Sequence, residues 1–166
     1  MIMKSKLSRK NNQPKAIVNR RAHFDYALGE ELIVGIELTG PEVKAARFGK
    51  VSLNGAYVVT RQNPHKNNSE LYLINAGFTL ENNARGVEKH TTFDDRQRKL
   101  LARRKEIDRL AEAKASGMTI IPTKLLAQGR YVKLVIALGK GKKNYDKRHV
   151  IRERDLSRET QRLAKR

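Results

Sequence analysis

The sequence contains no cysteine and no apolar run long enough to cross a membrane. The missing cysteines exclude a disulfide framework and thiolate metal sites, which fits a reducing compartment. The longest clear apolar run, residues 134–138, is far shorter than the roughly 20 residues of a membrane span. The N-terminus is basic but lacks the apolar stretch of a secretory signal, although a mitochondrial transit peptide is conceivable for residues 1–23. We expect a cytoplasmic protein.

Residue patterns for catalysis or metal binding are also sparse. The four histidines, which are scattered and have no partner at metal-ligand spacing, are His23, His65, His90 and His149. No serine or threonine lies in a nucleophile elbow, and no segment has the spacing of a P-loop. Glu42 lies near Lys44 and Arg47, but a glutamate in a first helical turn is usually there for the helix dipole. We expect no enzyme, no metal and no cofactor; an RNA-modifying enzyme using Glu42 or a histidine is the alternative.

Positive charge is abundant and unevenly distributed. The chain has 36 Lys and Arg against 17 Asp and Glu, a net charge of +19. Residues 1–23 hold seven basic and no acidic side chains, and residues 139–166 hold eleven basic and four acidic ones. Residues 24–138 are nearly balanced. Such a charge needs a polyanionic partner, which is nucleic acid, an anionic membrane surface or an acidic protein. A balanced body with two basic arms favours nucleic acid.

Hydrophobic periodicity predicts mainly β structure with two helices. Strands are predicted over 33–38, 51–61, 70–80, 118–127 and 130–138, with a polar turn at 62–69 and a long polar loop at 81–95. A short helix is predicted from Pro41 to Arg47, ending at Gly49. A long helix is predicted over 96–115, capped by Asp94 or Asp95, with Leu100, Ile107 and Leu110 on one face.

These elements predict a small antiparallel barrel with one short and one long helix packed on it. A doubly wound sheet is excluded because crossover helices are missing, and the oligonucleotide-binding (OB-like) fold is the obvious member of the remaining class. The expected organisation is a flexible basic arm (1–15), a barrel domain (16–140) and a basic C-terminal tail (141–166).

Residues 139–148 form the densest basic motif. The glycines allow backbone amides to approach phosphate, four lysines and an arginine supply charge, and Tyr145 offers a ring on which a base can stack. The alternative is a solvated basic turn after the last strand.

The tail repeats arginine every four residues. In a helix these residues would form one stripe, which consists of Arg154, Arg158, Arg162 and Arg166. Because apolar residues are sparse there, we expect the tail to be disordered alone and helical once a polyanion neutralises the stripe. A frayed, solvated helix is the alternative.

Residues 19–26 combine cations, an imidazole and aromatic rings just before the first strand. Such a set suits RNA bulges or loops, where exposed bases can stack. Alternatively, Phe24 and Tyr26 belong to the core and only the arginines face solvent.

The chain resembles the bacterial SsrA-binding protein (small protein B) family over nearly its whole length. The matching blocks, in order, are Asn19-Arg20-Arg21-Ala22-His23-Phe24-Asp25-Tyr26, Leu38-Thr39-Gly40-Pro41-Glu42-Val43-Lys44, Gly49-Lys50-Val51, Arg98-Lys99-Leu100-Leu101 and Lys140-Gly141-Lys142-Lys143-Asn144-Tyr145-Asp146-Lys147-Arg148. The last block is close to diagnostic.

The resemblance implies an OB-like barrel that binds the tRNA-like domain of transfer-messenger RNA and fills the volume of its missing anticodon stem. The complex would enter stalled ribosomes for trans-translation, with the tail as a helix in the empty mRNA channel. Elongation factor Tu and alanyl-tRNA synthetase would act on the same RNA, and the protein would be a monomer. The remaining alternative is a structural ribosomal protein that coats rRNA.

The resemblance also implies two sets of functional residues. Those that would bind transfer-messenger RNA are Asn19, Arg20, Arg21, His23, Tyr26, Glu42, Lys44 and Lys50. Those that would contact the decoding centre and mRNA channel of the 30S subunit in the 70S ribosome are Lys140, Lys142, Lys143, Tyr145, Asp146, Lys147, Arg148, Arg154, Arg158 and Arg162. Tyr145 is the stacking candidate.

The chain departs from the family pattern at three positions of its RNA-facing surface. Members usually carry an acid where this chain has Ile33, and an aliphatic followed by a polar residue where it has Ala102 and Arg103. Residues 62–69 and 81–95 are also longer and less typical than in the family.

Overall fold

The computed structural model describes residues 16–63, 68–81 and 91–143, and beyond them five single positions, which are Tyr145, Arg148, Arg152, Leu156 and Thr160. The arm predicted over 1–15 lies outside the described residues, as do parts of the two loops predicted at 62–69 and 81–95. Among the described residues, no helix has the length and apolar character needed to cross a membrane.

The continuous stretches of described residues form three helices and ten strands, and the single described positions beyond residue 143 are also helical. The helices are α1 (Arg20–Asp25), α2 (Gly40–Arg47) and α3 (Arg104–Ala115). The strands are β1 (Ile17–Val18), β2 (Tyr26–Ile36), β3 (Val51–Ser52), β4 (Tyr57–Asn63), β5 (Asn68–Ile74), β6 (Gly77–Glu81), β7 (Thr91–Asp94), β8 (Arg98–Leu101), β9 (Thr119–Leu126) and β10 (Lys133–Gly141).

Six antiparallel strands close into a barrel in the order β9-β10-β2-β8-β5-β4. The ring closes where Val58 of β4 pairs with Ile120 of β9, and β1 pairs with the far end of β9 through Ile17 and Leu125. The ring is closed by short pairings, since β8 pairs with β2 only at Gly35 and Ile36 and β4 meets β9 at one residue pair. The predicted small antiparallel barrel of OB-like type is confirmed.

The barrel interior is filled by aliphatic side chains from every strand of the ring. The most deeply buried are Val34, Val58, Leu71, Leu73, Leu100, Ile120, Leu125, Leu134 and Ile136. Each such side chain contributes roughly 1.5–3 kcal/mol by leaving water. In β10 Leu134 and Ile136 are fully buried and Lys133 is exposed, while Val135 and Ala137 are buried on the other face of the strand. Helix α3 packs on the barrel through Ile107 and Leu110, as its spacing predicts.

Helix α2 confirms the predicted short helix. Pro41 lies in its first turn, and both the backbone N–H and the hydroxyl of Thr39 donate to the Glu42 carboxylate. The helix ends at Phe48, and Gly49 follows with a φ of 72° that favours glycine. Against α2 lies a second, small sheet of order β3-β6-β7.

The long helix predicted over 96–115 is wrong at its start. Residues Arg98–Leu101 form β8, and the helix begins only at Arg104. Leu100 pairs with Ile36 of β2 on one side and Leu71 of β5 on the other, so sheet pairing overrides the helical pattern. Asp94 does not cap a helix, because its carboxylate accepts the N–H of Arg96 in the turn before β8.

Two predicted strands are each divided by a turn. Asn54-Gly55, with Gly55 at a φ of 73°, separates β3 from β4 within 51–61, and Asn75, at a φ of 58°, separates β5 from β6 within 70–80. Residues near αL geometry cannot continue an extended strand. The predicted 81–95 loop contains β7, and the unpredicted helix α1 makes three helices instead of two.

Candidate RNA interface

Asn19 organises the motif at residues 19–26 from inside the protein. It is buried, and its side-chain amide donates to the carbonyls of Leu53 and Pro122, both at 2.9 Å. Its oxygen accepts the N–H of Ala22 at 3.2 Å and so caps α1. Asn19 thus ties α1 to the barrel and has no free polar atom directed at solvent.

Helix α1 directs its cations outward. Arg20, Arg21 and His23 are exposed, and Arg21 pairs with Asp25 at 3.3 Å. Phe24 and Tyr26 are half-buried, so each ring keeps part of its surface accessible. This answers the question left open by the sequence, because the aromatic residues are neither fully core nor fully exposed.

The first residues of the predicted tail dock on the end of α1. The Lys142 N–H donates to the Asp25 carbonyl at 2.9 Å, and its ammonium donates to the His23 carbonyl at 3.0 Å. Lysine at a helix C-terminus is electrostatically favourable. The structure therefore places His23, predicted to bind transfer-messenger RNA, in contact with Lys142, predicted to contact the ribosome. We call this region the α1–tail junction, and it comprises Arg20, Arg21, His23, Lys142 and Lys143.

Beyond residue 143 the described positions are helical and exposed. Tyr145 is 78% exposed and Leu156 64% exposed, while Arg148, Arg152 and Thr160 are exposed as well. The Thr160 hydroxyl donates to the Leu156 carbonyl one turn earlier at 2.7 Å. Of the predicted contact residues, Asp146, Lys147, Arg154, Arg158 and Arg162 lie outside the described residues. Disorder of the free tail stays a prediction.

Glu42 is the centre of a buried charge cluster. Its side chain is 0% exposed, and its carboxylate accepts hydrogen bonds from Arg96 at 2.8 and 2.6 Å and from Arg98 at 2.8 Å. Burial raises the pKa of this carboxyl, but the hydrogen bonds from Arg96, Thr39 and Arg98 outweigh it and lower the pKa to about 2. Glu42 is therefore ionised and has no surface from which to touch RNA directly.

Arg98, which the sequence did not single out as a site residue, completes this cluster. It is 0% exposed, and it donates to Glu42 and to the carbonyls of Ala76, Asp94 and Arg96. Its guanidinium lies 3.9 Å from the ring centroid of Phe78. We call Glu42, Asp94, Arg96 and Arg98 the Glu42 cluster. It joins α2, the small sheet and the barrel. Its one signal in the sequence is that Arg98 begins a block that matches the family, because residues 98–101 were predicted as part of a helix and not as β8.

Helix α2 and the turn after it carry the two remaining predicted RNA contacts. Lys44 is exposed on α2, and Lys50 forms an ion pair with Glu81 of β6. The Glu42 cluster fixes the helix that presents Lys44. The structure thus divides the predicted set into cations that face solvent and polar residues, Asn19 and Glu42, that hold the backbone beneath them.

The three departures from the family pattern meet at one groove. Ile33, Ala102 and Arg103 line a depression of about 750 Å³ beside Leu101 and Lys99. Ile33 is 58% exposed, so the groove has an apolar wall and basic side chains near it. At its rim, hydrogen bonds from Lys99, Tyr72 and Asn63 lower the pKa of Glu70 to about 2. Among the described residues no three metal-ligand side chains cluster together.

Known proteins resemble this chain in both sequence and fold. Residues 16–166 match the family model described as SmpB protein. The SsrA-binding protein of Acholeplasma laidlawii (strain PG-8A) is 42% identical over 148 residues, covering 89% of this chain and 93% of that protein. The SsrA-binding protein of Prochlorococcus marinus (strain MIT 9515) is 37% identical over 168 residues, covering 98% and 97%.

A solved structure described as "tmRNA-SmpB: a journey to the center of the bacterial ribosome" has the same fold. It superposes with a TM-score of 0.55 at 32% identity, covering 78% of this chain and 85% of that one. The family model spans the barrel and the basic tail together, and the relatives match over nearly their full lengths. The chain belongs to the SmpB family.

Proposed function

We propose that this protein is a non-enzymatic adaptor that binds the tRNA-like domain of transfer-messenger RNA and delivers it to stalled ribosomes. The observation that carries the proposal is the similarity to SsrA-binding proteins across both the barrel and the basic tail. The solved neighbour, whose description names tmRNA, SmpB and the bacterial ribosome, supports the same partners.

The exposed cations supply the affinity for RNA. Arg20, Arg21 and Lys44 reach solvent from helices that Asn19 and the Glu42 cluster hold in place. Phosphate contacts of this kind position an RNA without reading its sequence, while His23 and Tyr26 offer polar and aromatic contacts to unpaired bases. Lys50 contributes less charge because Glu81 pairs with it.

The tail side of the α1–tail junction, Lys142 and Lys143, makes the ribosomal contacts in this proposal together with the rest of the tail. Lys142, Lys143 and Tyr145 lie at the end of the barrel from which the tail departs, with the Tyr145 ring exposed for stacking. The contact continues along Lys140, Asp146, Lys147, Arg148, Arg154, Arg158 and Arg162 into the mRNA channel. The protein acts as a cytoplasmic monomer, and elongation factor Tu and alanyl-tRNA synthetase act on the same RNA.

Competition binding at several salt concentrations tests the proposal. A labelled transfer-messenger RNA fragment is expected to bind more tightly than elongator tRNA at every ionic strength, and both affinities should fall steeply as salt rises. Equal affinity for the two RNAs would refute the assignment. The rRNA-coating alternative predicts one copy on every ribosome, whereas an adaptor is substoichiometric and enriched on stalled ribosomes.

A further inference from the structure

Two phenylalanine rings lie exposed on one face of the small sheet and the adjoining end of α2. Phe48 is 65% exposed and Phe93 is 66% exposed. Thr79 of β6 joins them, because it lines a shallow depression with Phe48 and pairs directly with Phe93 across the β6–β7 ladder. Residues opposite each other in a ladder project to the same face of the sheet. We call Phe48, Thr79 and Phe93 the aromatic platform.

The Phe93 ring lies against the backbone of Gly77 in the neighbouring strand. A β-carbon built on Gly77 would fall 2.1 Å from Cζ and 2.3 Å from Cε2 of Phe93, so the ring occupies the space that a side chain at Gly77 would fill. Part of the ring lies on Gly77, and two thirds of the Phe93 surface is accessible, so aromatic surface stays open to solvent. An exposed aromatic ring held against backbone offers a surface for stacking.

The charge beside the aromatic platform changes from positive near Phe48 to negative near Phe93. Lys44 and Phe48 lie one helical turn apart and share a face of α2, and Lys44 lines the same depression as Phe48 and Lys50. Lys50 is paired with Glu81, whereas Lys44 is exposed and forms no ion pair with the residues that the structure describes, so Lys44 supplies the positive charge here. Asp95, which is exposed, follows Phe93 by two residues. A phosphate is therefore favoured at the Phe48 end and disfavoured at the Phe93 end.

We infer that the aromatic platform binds an unpaired nucleotide of the RNA partner, with a base stacked on the Phe93 ring and the adjoining phosphate directed to Lys44. The inference rests on the proposed function, since it assumes that the partner is RNA. Single exposed apolar side chains are ordinary, but two aromatic rings on one face beside an exposed lysine match the recognition of unstacked bases. In this site Lys44 binds the phosphate of the RNA backbone and the Phe93 ring binds the base, so separate residues make the two contacts.

The test compares Phe93→Leu, Phe93→Trp and wild type in binding to a labelled transfer-messenger RNA fragment over a series of salt concentrations. Leucine keeps an apolar cover on Gly77 but removes the aromatic face, so affinity is expected to fall about tenfold, within the range for loss of one stacked base. Tryptophan is expected to restore wild-type affinity. The slope of log affinity against log salt should be unchanged in both variants, because no phosphate contact is lost.

Two further variants separate stacking from charge. Lys44→Ala is expected to reduce the salt slope by about one, and Met118→Ala, an exposed apolar residue in the turn between α3 and β9, should bind like wild type. Ultraviolet crosslinking of the wild-type complex should join a nucleotide to Phe93 or Phe48. If Phe93→Leu binds within twofold of wild type, or no crosslink forms at either ring, the inference is overturned. Loss of preference for transfer-messenger RNA by the wild-type protein would instead refute the proposed function.

Discussion

The Glu42 cluster and the α1–tail junction use the same residue types for opposite purposes. In the Glu42 cluster, Arg98 is inaccessible and every hydrogen bond of its guanidinium ends on protein oxygen. At the α1–tail junction, Arg20, Arg21 and His23 are exposed and leave most of their donors to solvent. Charge inside the protein therefore fixes the scaffold, while charge outside is available to a polyanion.

The largest expected effect comes from removing the tail, which should abolish ribosome rescue while the barrel stays folded. Truncation after Lys140 removes the tail and the Lys142 contacts to α1, but it leaves the barrel core intact. Binding to transfer-messenger RNA should persist, whereas tagging of nascent chains on ribosomes stalled at a broken message should be abolished. A full-length variant with glutamine at Arg154, Arg158 and Arg162 tests charge separately from length. If truncation also abolished binding to transfer-messenger RNA, the tail would belong to the surface that binds this RNA.

Arg98→Ala should damage the scaffold more than any single exposed substitution. It leaves the Glu42 carboxylate partly unpaired in the interior, and breaking a buried ion pair costs about 3–5 kcal/mol. Urea unfolding followed by circular dichroism measures the change. Arg104→Ala, which removes an exposed pair with Asp108 and an exposed hydrogen bond to the Ser69 carbonyl, is the matched control and should cost less than about 1 kcal/mol. Similar losses for the two variants would contradict the distinction between the regions.

The Glu42 cluster should also make stability depend on acid. The pKa of Glu42 is about 2 in the folded protein against 4.5 ordinarily, so its contribution is complete above pH 4.5 and is lost as pH falls toward 2. The gap corresponds to about 3 kcal/mol at neutral pH. The difference in unfolding free energy between wild type and Glu42→Gln should therefore shrink between pH 5 and pH 3. A difference for Glu42→Gln that stays constant over this pH range would refute the expectation.

The same contrast explains what the sequence could predict. The apolar run in β10, the Pro41 start of α2 and the excess of lysine and arginine are local patterns, and they led to the barrel and to the basic surfaces. The burial of Arg98 was not predicted because arginine is rarely fully buried. Strand β8 was not predicted because pairing with β2 and β5 converts a helix-forming stretch into a strand. The contact between Lys142 and His23 joins residues 119 positions apart, which no local pattern records.

Arg21→Ala at the α1–tail junction should have the smallest effect on stability. It is also the sharpest test of the difference between this junction and the Glu42 cluster. Arg21 is largely exposed, and its i, i+4 pair with Asp25 is worth less than about 0.5 kcal/mol, so urea unfolding should be nearly unchanged. Affinity for the transfer-messenger RNA fragment should nevertheless fall, and the salt slope should decrease by about one if Arg21 contacts a phosphate. Arg109→Ala, an equally exposed arginine on α3, is the control and should leave the slope unchanged. If the two variants alter the slope equally, RNA responds to the net charge of the chain and not to the arrangement of cations on α1.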